Sequence, residues 1–239
     1  MNNTPAQAKA CATPDRARQL LEFYRDLGFK TIYRRRPATV LPVLPLAPAS
    51  DTLDKISQDI GDCKRCRLHE QRNRIVFGSG SEQAKLVFVG EGPGADEDAQ
   101  GLPFVGRAGQ LLTQMIEGTA GKEGIPLKRA DVYICNVVKC RPPENRTPEA
   151  DEMEICGEFL FRQLKSIQPK AICALGGTAA KALLGVKEGV TRLRGKWHKW
   201  SGIPVMVTYH PSYLLRPFNQ NAKREAWEDL KTALHYVYD

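Results

Sequence analysis

The stretch that most constrains the fold is GEGPGADEDAQGLPFVGRAG, at positions 90–109. An apolar run at 85–89 precedes it, and apolar side chains with helical spacing follow it at 110–117. This order predicts a buried strand, a long loop and a helix N-terminus, which is where open α/β sheets bind ligands. Six glycines let the loop backbone approach a ligand closely. Four carboxylates and the absence of GxGxxG spacing disfavour a phosphate ligand, so the pattern favours a neutral, polar or planar ligand. The alternative is a solvated connecting loop that binds no ligand.

Three further apolar runs, at 132–138, 171–175 and 204–208, predict buried strands. Helical patterns separate them, and the helix before the third strand is predicted to open at Thr147-Pro148, a threonine N-cap followed by proline. A final helix is predicted over 222–237. Strands that alternate with helices indicate an α/β fold, in which a parallel sheet carries helices on both faces.

The chain divides by composition into residues 1–50, a basic extension, and residues 51–239, the core domain. Residues 1–50 hold eight Lys or Arg and three Asp or Glu, so most of the net charge of +8 lies there. We predict a short helix at 15–27 and a proline-containing linker at 37–48. The basicity suggests a polyanionic partner. No apolar run approaches the ~20 residues that span a bilayer, and no signal peptide is visible, so a cytoplasmic protein is expected.

Seven cysteines in a reducing compartment suggest metal ligands or reactive thiols before disulfides. Cys63 and Cys66 form a CxxC pair on one turn, and Cys140 and Cys156 are the other candidates. Four thiolates suit Zn²⁺ or an iron–sulfur cluster. The wide separation of the second pair favours a [4Fe–4S] cluster with a structural role. Zinc, or two ordinary buried cysteines, are the alternatives.

Polar residues follow the predicted strands at Glu91, Asn136, Gly176-Gly177 and His210. The carboxyl ends of parallel strands share one edge, so these residues are expected to face one crevice. Asn136 offers a donor and an acceptor side by side, and His210 can donate to a carbonyl. Phe104 offers a flat face for stacking. The set predicts a nucleobase site, although each residue could instead satisfy backbone groups, cap a turn or fill the core.

The turn after His210 reads Pro-Ser-Tyr-Leu-Leu-Arg. An apolar pair followed by arginine can enter a base stack and hold a phosphate, as enzymes that extrude a duplex base require. The alternative is that Leu214 and Leu215 simply pack in the core.

Together these residues resemble the family 4 uracil-DNA glycosylases over about residues 51–239. The resemblance is carried by GEGPG (90–94), GLPFVGRAGQLL (101–112), NVVKCRPPENRTP (136–148) and HPSYLLR (210–216), with the four cysteines. It implies a three-layer α/β/α sandwich around a four-stranded parallel sheet. It also implies a [4Fe–4S] cluster on Cys63, Cys66, Cys140 and Cys156, and hydrolysis of the N-glycosidic bond of uracil in single- and double-stranded DNA.

The resemblance also implies roles for the base-binding residues. Phe104 would stack on uracil, Asn136 would pair with its amide edge, and His210 would donate to O2. Glu97 would lie at the C5 edge and reject the methyl group of thymine.

The water side and the DNA surface follow in the same way. Glu91 and Gly92 would line the water side, Gly90 would belong to the substrate-binding residues, and Glu91 is our candidate for the water activator. The segment after Asn136 lacks the inserted histidine of the branch that forms a covalent adduct. The expected DNA contacts are Ser212, Leu214 as the wedge, and Arg216.

Two other classes of function remain open at this point. One is a non-catalytic nucleic-acid-binding module with a structural metal site made of four cysteines, and the other is an iron–sulfur electron carrier. We expect uracil-containing DNA as the partner, no membrane association and a monomer.

Overall fold

A computed structural model describes residues 51–239. The helix predicted at 15–27 and the linker predicted at 37–48 lie outside these residues, so the division into residues 1–50 and 51–239 stays a prediction. No helix in the described core is long and apolar enough to cross a membrane.

The core is built on an open, mixed sheet of six strands in the order β1-β3-β2-β4-β6-β5. The inner four strands are parallel and coincide with the four predicted strands. The prediction of a four-stranded sheet was incomplete, because β1 and β5 add antiparallel edges. The strands are β1 Ser79–Gly80, β2 Leu86–Gly90, β3 Tyr133–Asn136, β4 Ala171–Leu175, β5 Trp197–Trp200 and β6 Ile203–Thr208.

Helices connect and cover the strands. They are α1 Leu53–Ile60, α2 Ala95–Gln100, α3 Arg107–Lys122, α4 Ala150–Ile167, α5 Gly177–Leu184, α6 Val190–Leu193, α7 Pro211–Leu214 and α8 Gln220–Tyr238, with short 3₁₀ turns at Arg67–His69, Arg129–Asp131 and Pro143–Asn145. The stretch at 90–109 therefore is not one continuous loop, because α2 lies within it.

The prediction that a helix opens at Thr147-Pro148 was wrong by a few residues. Helix α4 begins at Ala150, after Glu149 as its N-cap, where the Glu149 N–H donates to the Glu152 carboxylate at 2.7 Å.

Side chains alternate between the two faces of the sheet, and each face carries its own apolar core. Val87 and Val89 pack with α1, α4 and α5, whereas Leu86 and Phe88 pack with α3 and α8. Burying each such side chain contributes about 1.5–3 kcal/mol, so both helical layers are held by apolar packing. The result is the predicted three-layer α/β/α arrangement, and it leaves the carboxyl ends of the strands free to form a site.

Candidate active site and cysteine cluster

A pocket of about 350 Å³ opens at the carboxyl ends of the parallel strands. Glu91, Asn136 and His210 line it together with the Gly176-Gly177 turn. Each of these follows or ends one of the four inner strands, so the parallel sheet gathers them as expected. Gly92, Glu97, Phe104 and Ser212 line the same pocket.

Asn136 ends β3 and pairs in register with Gly90 of β2. Its side chain is buried, and Oδ1 has no hydrogen-bond partner within residues 51–239. Gly90 does not line the pocket but supports it from behind, since an added Cβ would overlap both Asn136 Oδ1 and the Phe104 ring. A buried amide oxygen left unpaired costs about 1–3 kcal/mol, so Asn136 is suited to a ligand that brings an N–H.

Phe104 is only 6% exposed, and its backbone has a φ of +53°, an unusual value for a non-glycine residue. Contacts on both sides hold this conformation. The Glu97 carboxylate accepts from the N–H groups of Val105 and Gly106, each at 2.9 Å, while Arg129 Nη2 donates to Pro103 O at 2.7 Å. The ring is thereby fixed against the pocket before any ligand binds.

Glu97 has a structural role in addition to its position in the pocket lining. Besides its two bonds near Phe104, it accepts from the Gly94 N–H at 3.2 Å. Three backbone donors therefore converge on one carboxylate, which orders the segment between β2 and α3.

His210 follows β6 and lies with its ring centroid 5.6 Å from that of Phe104. Its Nδ1 accepts from the Ser212 N–H at 3.2 Å and lies 2.8 Å from Ser212 Oγ. Because Nδ1 is an acceptor, the proton of the neutral ring is on Nε2. Burial lowers the pKa of His210 to about 4, against a smaller opposing effect of Glu97. At neutral pH the residue is thus an uncharged Nε2–H donor.

Glu91 lies on the pocket wall, and its Oε2 accepts a hydrogen bond from Thr178 Oγ1 on α5. Gly92 follows it, and a Cβ there would lie 2.8 Å from Val138 Cγ2. The backbone between β2 and α2 therefore lies close against the segment that follows β3, and a carboxylate remains on the pocket wall.

Leu214 does not have the exposure that a wedge requires. It is 1% exposed and packs with Ala222 and Ala226, whereas its neighbour Leu215 is 37% exposed. Ser212 reaches the pocket, and Arg216 lies on the exposed side of the same turn with its guanidinium 5.8 Å from the centroid of the Tyr213 ring. The exposed apolar side chain of the pair is Leu215, and this corrects the choice of Leu214.

The four candidate cysteines all contact the apolar core on one face of the sheet. All four are free thiols, and one guanidinium nitrogen, Arg72 Nη1, donates to Cys63 O at 2.6 Å as well as to the Cys140 thiol. Burial raises the pKa of Cys156 to about 12, and the Lys139 N–H donates to its Sγ at 3.2 Å. Arg72 Nη1 donates to Cys140 Sγ at 3.4 Å. Donors aimed at sulfur stabilise thiolates, so the donor set fits a metal centre.

In the described part of the chain, no three or more Cys, His, Asp or Glu side chains lie close enough to hold a single metal ion.

The residues that support these groups were not predicted. Thr178, Arg129 and Lys139 each bond a site residue or its neighbour through a side chain. Arg146 lines the pocket and is held by the buried carboxylate of Glu152. Thr178 and Arg129 lie outside the motifs quoted above, and their pairings join positions that helix or strand spacing does not relate. Lys139 and Arg146 lie within the motif at 136–148, which assigns them no role of their own.

Comparisons with known proteins agree with this geometry. The family model described as the uracil DNA glycosylase superfamily matches residues 77–231. The type-4 uracil-DNA glycosylase of Thermotoga maritima is 43% identical over 189 residues, which cover 78% of this chain and 95% of that protein. The type-4 enzymes of Sulfurisphaera tokodaii and Archaeoglobus fulgidus are 43% and 41% identical; each alignment covers 76% of this chain, and 83% and 91% of the respective relative.

Proposed function

The chain belongs to the uracil-DNA glycosylase superfamily, and from this membership we propose how its pocket excises uracil from DNA. The activity is hydrolysis of the N-glycosidic bond of uracil in DNA, which leaves an abasic site for repair. The observation that carries the assignment to this pocket is the unpaired, buried Oδ1 of Asn136 beside Phe104 and His210.

Base recognition follows from three side chains. Phe104 stacks on the extruded base, since its ring is already fixed on the pocket wall. Asn136 Oδ1 accepts from N3–H of uracil, and its amide donates to O4. Cytosine lacks the N3–H, so it would leave Oδ1 unpaired. Glu97, which lines the same pocket, excludes the C5 methyl group of thymine in this proposal.

Bond cleavage is a problem of charge stabilisation. As the C1′–N1 bond breaks, its electron pair moves onto uracil and negative charge collects at O2. The Nε2–H of neutral His210 donates to O2, and a single well-placed donor of this kind is worth roughly 3 kcal/mol. Glu91, oriented by Thr178, then takes a proton from the water that attacks C1′.

DNA is held outside the pocket by the turn that follows His210. Ser212 and Arg216 contact phosphates, and Arg146 adds a cation at the pocket wall. Leu215, rather than Leu214, is the apolar side chain available to fill the gap left by an extruded base. Activity on both single- and double-stranded DNA, a monomeric state and a cytoplasmic location remain our predictions.

The cysteines supply the cofactor site in this proposal. Cys63, Cys66, Cys140 and Cys156 hold a [4Fe–4S] cluster, supported by the donors from Arg72 and Lys139. When bound, the cluster would join the segment after α1 to the segment after β3 and to α4, and no step of the reaction passes through it. An electron carrier would leave the convergence of Asn136, Phe104 and His210 without a purpose, whereas a non-catalytic binder would use the pocket but release no uracil.

The test uses a fluorescent oligonucleotide with one uracil, treated with the protein and then with alkali to cleave abasic sites. We expect cleavage at that position in single- and double-stranded forms. The same oligonucleotide with thymine in place of uracil is the matched control and should stay intact. An intact uracil strand after incubation with iron-loaded protein would contradict the proposal.

A further inference from the structure

Lys139 is a buried lysine outside the pocket, and the proposed reaction does not use it. Its side chain is fully buried, and Nζ donates to Asn136 O at 2.9 Å and to Gln163 Oε1 at 2.6 Å. Neither acceptor is a carboxylate. Burying a lysine Nζ is costly unless it is hydrogen-bonded, so its two acceptors identify what this side chain holds in place.

The segment that follows β3 shows what the side chain holds. The N–H groups of Val137 and Val138 donate to Gly90 O and Glu91 O at 3.0 and 3.2 Å, and the Lys139 N–H donates to Cys156 Sγ at 3.2 Å. The Lys139 side chain returns along the segment, and its Nζ donates to Asn136 O, three residues earlier.

Lys139 is also anchored on its other sides. Its carbonyl accepts from the Val76 N–H at 2.8 Å, and the next residue is Cys140. Gln163, the second acceptor of Nζ, donates to Phe77 O at 3.0 Å and to Tyr133 Oη at 3.2 Å. Hydrogen bonds to β3, α4 and the segment before β1 therefore hold Lys139 and its second acceptor in place.

We propose that Lys139 is a positioning residue. It fixes the backbone of Asn136 relative to the cysteine cluster, and that backbone in turn fixes the side-chain amide that reads uracil. This inference rests on the role of Asn136 in the proposed function. Asn136 Oδ1 has no partner of its own in the described core, so the backbone and the packing around Gly90 and Phe104 fix where the amide points. Loss of the Nζ bond would free the Asn136 carbonyl and release that orientation.

The experiment is a double-mutant cycle on the iron-loaded protein, read as the single-turnover rate of uracil excision. Lys139→Met keeps the length of the side chain and removes the ammonium. We expect it to slow excision roughly tenfold in the wild-type background, and by less than about twofold in the Asn136→Ala background, because coupled residues are not additive. Equal slowing in both backgrounds would overturn the inference.

A second readout separates positioning from cluster assembly. The Lys139 N–H to Cys156 Sγ is a backbone contact that Lys139→Met retains, so iron per chain and visible absorbance should match wild type. Loss of iron in Lys139→Met would show that the residue acts on the cluster instead. Should Lys139→Met be insoluble, Lys139→Gln, which keeps a shorter donor, enters the same cycle and is judged by the same criterion.

Gln163→Leu is the matched control. It removes the other acceptor of Nζ but leaves the bond to Asn136 O, so the melting temperature should fall while the excision rate stays within about twofold. Strong slowing by Gln163→Leu would show that packing around Nζ, rather than its bond to Asn136, matters. A wild type inactive on uracil would refute the proposed function itself, whereas an active wild type with an additive cycle refutes only the role of Lys139.

Discussion

Two polar regions meet at the wall of the pocket, and they differ in how their groups are satisfied. In the pocket, the buried Asn136 Oδ1 has no partner within the described core. Next to it, the fully buried Glu152 carboxylate accepts four hydrogen bonds, from Arg67, Arg146 and the Glu149 N–H, at 2.6–2.8 Å. These bonds, chiefly that from Arg146, lower the pKa of Glu152 to about 2.

The difference separates binding groups from structural ones. A satisfied buried charge holds segments together and has nothing left for a ligand. An unsatisfied buried acceptor costs about 1–3 kcal/mol until a ligand supplies its donor. Asn136 is therefore suited to recognition, whereas Glu152 fixes Arg146 and the turn around Arg67 beside the cysteines.

The largest effect should come from His210, a pocket group whose remaining proton faces the ligand. His210→Ala removes the donor to O2, and we expect single-turnover excision to fall about 100- to 1,000-fold with the melting temperature little changed. His235→Ala is the control, because His235 is bonded to Glu123 and Asp239 and should leave the rate unaltered. A wild-type rate for His210→Ala would remove the residue from the mechanism.

The next effect tests the structural region. Cys140→Ser removes one proposed cluster ligand, and we expect loss of iron, loss of visible absorbance and a stability loss on the order of 3 kcal/mol, since metal binding contributes directly to folding. Cys135→Ser is the matched control, because Cys135 is equally buried but lies inside β3. Equal iron in both variants would contradict the ligand set.

Glu97 combines the properties of the two regions, since it is a pocket residue whose carboxylate is also fully hydrogen-bonded. It lines the pocket, yet its carboxylate is satisfied by three backbone N–H groups. We expect Glu97→Ala and Glu97→Gln to slow uracil excision by about tenfold, because both weaken the support of the Phe104 loop.

The two Glu97 variants should differ in specificity. Only Glu97→Ala frees space at the C5 edge, so only it should release thymine from a thymine-containing strand at a measurable rate. Thymine release by neither variant would leave Glu97 a structural group alone, and release by both would show that its charge, not its size, excludes the methyl group.

The sequence was sufficient to predict which polar groups the strand ends bring together. Because parallel strands end at one edge, Glu91, Asn136 and His210 could be assigned to one crevice before any coordinates. The edge strands were not predictable in the same way. Ser79–Gly80 is only two residues long, and Trp197–Trp200 is partly exposed on both faces and so lacks a buried apolar run.

Helix α2 was missed, and the burial of Leu214 stayed only an alternative, for a related reason. The three acids of α2 resemble a solvated loop until Glu97 is seen to accept from the Gly94 N–H at the helix start. Leu214 and Leu215 are indistinguishable by composition, and only packing against Ala222 and Ala226 separates them. The supporting residues Thr178 and Arg129 depend on contacts between distant segments, which no local pattern encodes.

The smallest expected effect is that His210 does not titrate near neutral pH, whereas His235 does. Burial lowers the pKa of His210 to about 4, whereas hydrogen bonds to Glu123 and Asp239 raise the pKa of His235 above its ordinary value of 6.5. In an NMR titration from pH 8 to 5.5, the ring signals of His235 should therefore shift early, and those of His210 should not move. Excision should show no inflection from His210 over that range.

The sign of the linked stability effect follows from the same pKa. Between about pH 6.5 and 4 the unfolded chain protonates His210 while the folded chain does not, so acidification lowers the free energy of unfolding through this residue. Replacing His210 by Asn removes that dependence, and the melting temperature of His210→Asn should fall less steeply from pH 6.5 to 4.5 than that of wild type. If the wild-type rate shows an inflection near pH 6.5 and the rate of His235→Ala does not, the inflection belongs to His235. If the inflection persists in His235→Ala, His210 titrates as an ordinary exposed imidazole, and the assignment of His210 as a neutral donor fails.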